Sequence, residues 1–260
     1  MLGYNNTDQQ LHHLCQVLAK AGRTFVPKQE DDSHTNLYYD SVANRIITHW
    51  ISSAKVPVVL ALTLNSLHFE WQNSANEVLQ SFPSIGKTRH EVEIAINKQL
   101  EQLGLESDDF LDDLHFEIPK YLFANDRIKD IPKADMLVWK KYRKLANTNC
   151  LAVLGHLQVA GEIRIWPHHF DTGIYVEVEH RIGIGFGLAM QDNMAGVPYF
   201  YMSGYMLNEG TLKYENLPKF DKGRWEIGEH WNGAILPINE IVDLDTNDYL
   251  SNSLDWFLKQ

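Results

Sequence analysis

VPVVLALTLNSLHFEWQ, Val56 to Gln72, sets the fold class. Two runs rich in Val, Leu, Thr, Phe and Trp flank Asn65, each of a length that suits a strand and each bounded by a turn former. The same texture extends outward over Thr24 to Gln72, broken by Pro27, Asn44, Pro57 and Asn65, so this region is predicted to hold antiparallel strands. Helical patterns bracket it. On the N-terminal side Leu11, Leu14, Cys15, Leu18 and Ala21 recur at helical spacing, with a capping-box start at Thr7 and Gln10 and a stop at Gly22. On the C-terminal side Thr88 and Glu91 repeat the capping box ahead of Val92, Ala95, Ile96, Leu100 and Leu103, and Gly104 closes the run. Strands grouped together with flanking helices predict an α+β protein rather than alternating βαβ units.

This layout recurs about 140 residues later. Ala21-Gly22, Pro27, Leu37-Tyr38, Arg45-Ile46 and Val56-Pro57 match Ala160-Gly161, Pro167, Ile174-Tyr175, Arg181-Ile182 and Val197-Pro198 in order and near-constant spacing. FPSIGKTRHEV from Phe82 faces LPKFDKGRWEI from Leu217, and LESDDFL from Leu105 faces LDTNDYL from Leu244. The expectation is two tandemly duplicated halves, each an antiparallel sheet with packed helices, related by a pseudo-twofold axis. Residues 1–123 form the first half, 124–132 the linker and 133–260 the second half. The second half opens on a helix from about Ala134 to Val159 and continues in strands at Ile163–Ile165, Gly173–Val178, Ile182–Met190, Pro198–Leu207 and Trp225–Leu236. A helix from Asp245 to Leu258 ends it. From Trp225 onward it reads as strand where the first half reads as helix.

With 260 residues, 44% of them hydrophobic, the chain can bury a substantial core. A formal charge of −11 repels phosphate backbones, which argues against nucleic acid or an anionic membrane as partner. The longest apolar run, Val56 to Leu64, is shorter than the ~20 residues of a membrane helix, and a cytoplasmic protein is expected. Cys15 and Cys150 are the only cysteines, each in a helical pattern, and are expected to be buried thiols.

Three stretches of the second half concentrate chemistry. In WPHHFD, Trp166 to Asp171, alternation along an extended chain places His169 with Asp171 and then with Tyr175, Glu177 and Glu179. Imidazole with carboxylates is a set a divalent metal accepts, and His169, Asp171, Glu177 and His230 are the candidate ligands. The plainer reading is that His168 and His169 satisfy backbone groups or cap a turn. In RIGIGFGLAM, Gly183, Gly185 and Gly187 alternate with apolar residues, leaving one face of a strand bare for a ligand, an aromatic ring or another backbone. In YFYMSGYM, Tyr199, Tyr201 and Tyr205 share a face with Ser203, joined by Trp225, His230 and Trp231. Flat aromatics with polar edges suit a small molecule; cross-strand pairing that stabilises the sheet is the commoner use. Ser203 has no nucleophile elbow.

Over most of its length the chain resembles an uncharacterised bacterial family known only as a domain of unknown function. The resemblance lies in Ala21-Gly22, Pro27, His34, Leu37-Tyr38, Trp166, Phe170-Asp171, Pro198 to Tyr201 and Leu236-Pro237. EDDSH, Glu30 to His34, stands where the family has an aromatic, histidine-rich stretch. The resemblance implies no known activity.

The leading expectation is small-molecule binding in a pocket of the second half or at the inter-half seam, the first half being mainly scaffold. Trp166, His168, His169, Asp171, Tyr175, Gly183, Gly185, Gly187, Tyr199, Tyr201, His230 and Trp231 are the candidate ligand-binding residues. Alternatives are a metal-dependent hydrolase or lyase, with Glu177 or Glu226 as general base, and a protein-interaction module.

Overall fold

The structure, a computed structural model, describes residues 1–208 and 210–260. Helix α1 (Leu2–Phe25) leads into strands β1 (Tyr38–Asp40), β2 (Arg45–Ile47), β3 (Val58–Thr63), β4 (His68–Asn73) and β5 (Val78–Pro83), followed by helix α2 (Arg89–Asn97). Helix α3 (Lys133–Leu157) then precedes β6 (Arg164–Ile165), β7 (Thr172–Val178), β8 (Ile182–Ala189), β9 (Tyr199–Met206), β10 (Arg224–Ile227), β11 (Asn232–Pro237) and helix α4 (Asn247–Leu258). The protein is α+β, with two antiparallel sheets each accompanied by helices, as the sequence predicts. Among the described residues no helix is long and apolar enough to cross a membrane.

The chain forms two compact units, and neither is one continuous segment. The first comprises Asn6–Lys140 and Ile165–Phe170; the second comprises Met1–Asn5, Lys141–Arg164 and Asp171–Gln260. Residues 124–132, read from sequence as a linker, belong to the first unit. There the Ile128 N–H donates to the Lys87 carbonyl (2.8 Å) and the Gly86 N–H to the Ile128 carbonyl (2.8 Å).

In the first unit β1 to β5 pair in chain order. Five of the six β3 residues are buried, so this strand is covered on both faces. Phe25 near the end of α1 packs against Trp71 of β4 and stacks on Phe110, with centroids 6.5 and 6.1 Å apart. Helix α1 differs from its predicted bounds. It starts before Thr7, which is buried in mid-helix, and runs past Gly22, where a Cβ would meet the His34 carbonyl oxygen at 2.7 Å. Gly22 serves close approach, not termination. Helix α2 follows the sequence closely, with Thr88 and Glu91 closing the capping box and Gly104, at φ 72°, ending the 3-10 turn beyond it. In the acidic run from Asp108 to Asp113, Ser107 Oγ caps the N–H groups of Asp109 and Phe110, and Arg23 donates to the Asp109 (2.5 Å) and Asp113 (3.2 Å) carbonyls.

The six-stranded sheet has the order β10-β11-β9-β8-β7-β6. The predicted single strand from Trp225 to Leu236 is a hairpin, β10 and β11. Gly228 turns it, its N–H facing the Trp231 carbonyl (3.1 Å) and Asn232 Oδ1 (3.0 Å). One face of this sheet is apolar: Ile182, Ile184, Phe186 and Leu188 of β8 lie beside Phe200 and Met202 of β9, and Phe186 stacks on Phe200 at 5.9 Å. Helix α4 covers it, Phe257 lying where a Cβ on Gly204 would sit and Tyr249 donating to the Ala234 carbonyl (2.8 Å). Arg181 closes the C-terminus of α4 through the carbonyls of Leu258 (3.0 Å) and Gln260 (2.5 Å), where a cation meets the negative end of the helix dipole.

Candidate functional site

Helix α1 carries a polar row among its apolar residues. Asp8, His12, Gln16 and Lys20 follow one another at i, i+4 spacing, so they share one face, and all four are at most 3% exposed. A buried polar group without a partner costs about 1–3 kcal/mol, so such a row persists only if the surrounding chain satisfies it. Asp8 Oδ1 accepts from the Trp139 indole N–H (2.7 Å). His12 Nε2 lies 2.9 Å from the Pro167 carbonyl and Nδ1 lies 2.7 Å from the Tyr121 hydroxyl. A carbonyl only accepts, so Nε2 carries the proton and, in the neutral ring, Nδ1 accepts from Tyr121. Burial, reinforced by the Asp8 charge, keeps the Tyr121 phenol protonated. Gln16 Nε2 also donates to the Pro167 carbonyl (2.8 Å).

Lys20 ends the row in a buried charge cluster. Its ammonium sits 3.0 Å from Glu93 Oε2 and donates to the Leu111 carbonyl (3.1 Å), while Arg89 Nε lies 3.1 Å from the other Glu93 oxygen. Arg89 Nη1 also reaches His13 Nδ1 at 3.3 Å. Burial first, and then the Arg89 charge, lower the His13 pKa to about 4 against a hydrogen bond with the Ala124 backbone that favours the cation. His13 is therefore a neutral acceptor at pH 7.

Two cavities lie along α1, one of them reaching the Lys20 end of this row. One of about 290 Å³ is lined by Gln9, Gln10 and His13 of α1 and by Asp126, Arg127 and Lys129, with Leu14, Phe123 and Ile128 as apolar wall. The other, about 300 Å³, is more polar and is lined by Lys20, Arg89, His90, Glu93 and Asn125. The His13–Arg89 contact and the Phe123-Ala124-Asn125 segment stand between them. A third cavity of about 380 Å³ lies at Leu64, Asn65, Met136 and Lys140, whose ammonium donates to Asn65 (2.7 Å). The polar row is legible in the sequence as an i, i+4 series that interleaves with the apolar stripe of the same helix.

Among the residues predicted from sequence, Trp166, His168 and His169 lie in the first unit, as part of a turn in which the Trp166 carbonyl accepts from the N–H groups of His169 (3.2 Å) and Phe170 (2.6 Å). Phe170 stacks on His12 at 5.2 Å and on Trp139 at 6.4 Å. His168 packs on Phe116 and on His169, which is exposed. Asp171, Tyr175, Glu177, the three glycines, Tyr199, Tyr201, His230 and Trp231 lie in the second unit. Asp171 Oδ2 accepts from Tyr201 (2.6 Å), and Asp192 accepts from Tyr199 (2.6 Å). Burial and those carboxylates push both phenols upward. Cys150 is buried as expected, and burial, with Asp171 adding to it, holds its thiol protonated.

The glycine strip of β8 is occupied by the chain itself. A Cβ on Gly183 would lie 2.2 Å from the Tyr175 hydroxyl, and one on Gly187 would meet the Thr172 carbonyl oxygen at 2.6 Å. Gly185 pairs with Tyr175 on one side and Ser203 on the other. Glu177 is exposed on β7; His230 is exposed at the β10–β11 turn, and the Trp231 ring lies against Gly233. Among the described residues no three His, Cys, Asp or Glu side chains gather into a group that could hold a metal ion. No family model matches the chain, and no curated protein or solved structure matches it.

Proposed function

We propose that this protein binds a small polar molecule in its first unit, at the cavities along α1. The observation that carries this reading is the convergence of the His13 imidazole, held neutral, with the Gln9 and Gln10 amides and the Arg127 guanidinium around about 290 Å³ of space walled by Leu14, Phe123 and Ile128. An apolar wall with a few directed polar groups and a perturbed titratable side chain is the usual makeup of a ligand site. Arg127 and Lys129 offer donors, Asp126 and the neutral His13 offer acceptors and the glutamine amides offer both, so the ligand carries donor and acceptor groups on a partly apolar body. Screening a metabolite library by thermal shift finds such compounds, since a ligand that binds only the folded state raises the melting temperature. The shift should vanish in His13→Leu and Arg127→Ala. Hits that shift both variants as they shift the unaltered chain would place the ligand elsewhere.

A second strand of the proposal is that the two sheets descend from one duplicated ancestor. What supports it is that two of the matched sequence pairs fall at like points of their sheets. Arg45-Ile46 and Arg181-Ile182 sit at the start of β2 and β8, and Val56-Pro57 and Val197-Pro198 lead into β3 and β9.

A further inference from the structure

The face of the second sheet opposite its apolar core has a composition that neither covering nor hydration explains by itself. Along β7, β8 and β9 the register sets Tyr175 opposite Gly185 and Gly185 opposite Ser203, and it sets Glu177 opposite Gly183 and Gly183 opposite Tyr205. The middle strand offers no side chains there, and the tyrosines of its neighbours lean over it, the Tyr175 hydroxyl lying where a Gly183 side chain would begin. Tyr175 and Tyr205 nevertheless remain 48% and 49% exposed. Their ring centroids are 6.2 Å apart and the planes are inclined by 56°, so the rings stand like the covers of a half-open book. Ser203 Oγ donates to the Tyr205 hydroxyl (3.2 Å), which holds one cover in place.

Charge selects the occupant. The aromatic faces are negative by their quadrupole, and the charged side chain at this end of the face is Glu177; none of the facing positions on β7, β8 or β9 is Lys or Arg. Burial, then Glu177, then Tyr205 hold the Tyr175 phenol protonated, so its ring stays a neutral π-face. A cation seated over both rings lies within about 6 Å of each centroid, the range in which cation–π attraction acts. A primary ammonium loses hydration at such a seat that the hydroxyls only partly replace, whereas a quaternary ammonium has no N–H to leave unsatisfied. We infer that Tyr175 and Tyr205, held over the glycines of β8 with Glu177 beside them, form a binding site for a small soluble quaternary ammonium compound. This site is separate from the cavities of the first unit and does not depend on the reading given to them.

The test uses the full chain with ring-labelled tyrosine, titrated in parallel with choline and with 3,3-dimethylbutan-1-ol, its uncharged carbon isostere. Choline should move the Tyr175 and Tyr205 ring signals, assigned through the Tyr→Phe variants, and bind about tenfold more tightly than the isostere. Glu177→Gln, an exposed substitution that spares the rings, should weaken choline by about threefold, and Tyr205→Leu by about tenfold. Equal binding of the two probes would reduce the site to a greasy surface. Ring signals that choline does not move would leave the tyrosines as covers for glycine alone, and either result overturns the inference.

Discussion

Lys20, Glu93 and Arg89 show how the partners of a charge decide what its loss costs. Glu93 is 2% exposed and is approached by two cations, so Glu93→Ala leaves the buried Lys20 ammonium with only the Leu111 carbonyl. That should cost about 3 kcal/mol in urea unfolding, because an uncompensated buried charge is the expensive outcome. Lys20→Met should cost less, since Arg89 still neutralises Glu93, and the double variant Lys20→Met/Glu93→Leu should recover much of the Glu93→Ala loss. A Glu93→Ala cost below that of Lys20→Met would refute this ordering. His13 adds a pH dependence whose sign follows from its neutral folded form. Its pKa falls from 6.5 to about 4 on folding, so between those values the unfolded chain binds the extra proton and stability rises with pH. Stability is therefore lost as pH drops below 6.5, and the loss is complete below about 4, reaching at most ~3 kcal/mol from this one group. Measured as the difference from His13→Leu, so that other titrations cancel, the slope should appear in that window; parallel curves for the two proteins would remove His13 as its source.

Elements are legible in the sequence where one period dominates and are not where tertiary contacts override a local signal. Thr88 and Glu91 cap α2 as the sequence states, because both partners of a capping box lie within four residues. Thr7 and Gln10 have the same spacing and cap nothing, since α1 is already helical from Leu2. Nothing within those four residues distinguishes the two cases. Gly22 and the glycines of β8 carry the same lesson, their reason being a neighbour remote in sequence. In an exposed helix Gly→Ala gains up to about 1 kcal/mol from propensity. At Gly22 the sign should reverse, because the added methyl meets the His34 carbonyl oxygen at 2.7 Å and the Thr35 Cα at 3.2 Å. Gly187→Ala faces backbone as well, the Thr172 carbonyl oxygen at 2.6 Å and the Gly173 Cα at 2.9 Å, and should cost ~2 kcal/mol or more by forcing β7 and β8 apart. Gly183→Ala should be milder, since there the obstacle is the movable end of Tyr175. Equal melting temperatures for the Gly183 and Gly187 variants would show that the backbone contact imposes no penalty.

At the scale of the molecule, the class and the two sheets were legible because strand and helix periods are local, whereas the composition of the units was not. The first unit takes two pieces from beyond residue 132: the start of α3, which brings Trp139, and Ile165–Phe170. Those pieces are integral to its interior. Trp139 bonds Asp8 and packs on Tyr39 at 5.4 Å, the Pro167 carbonyl receives His12 and Gln16, Phe170 is buried against His12, and Ile165 bridges to Leu37. The WPHHFD stretch, conspicuous in sequence for its histidines, thus serves the first unit through its proline carbonyl and its phenylalanine. A fragment of residues 1–132 should therefore fail to fold. It loses two buried aromatics, each worth about 3–5 kcal/mol, and leaves polar groups of α1 without their acceptors, against a total stability of only about 5–15 kcal/mol for an ordinary domain. The expected result is a fragment with collapsed amide dispersion by NMR and no cooperative melt. A fragment 1–132 that melts cooperatively, with protected amides across β3 and β4, would show that the pieces from beyond residue 132 are accessory to this core.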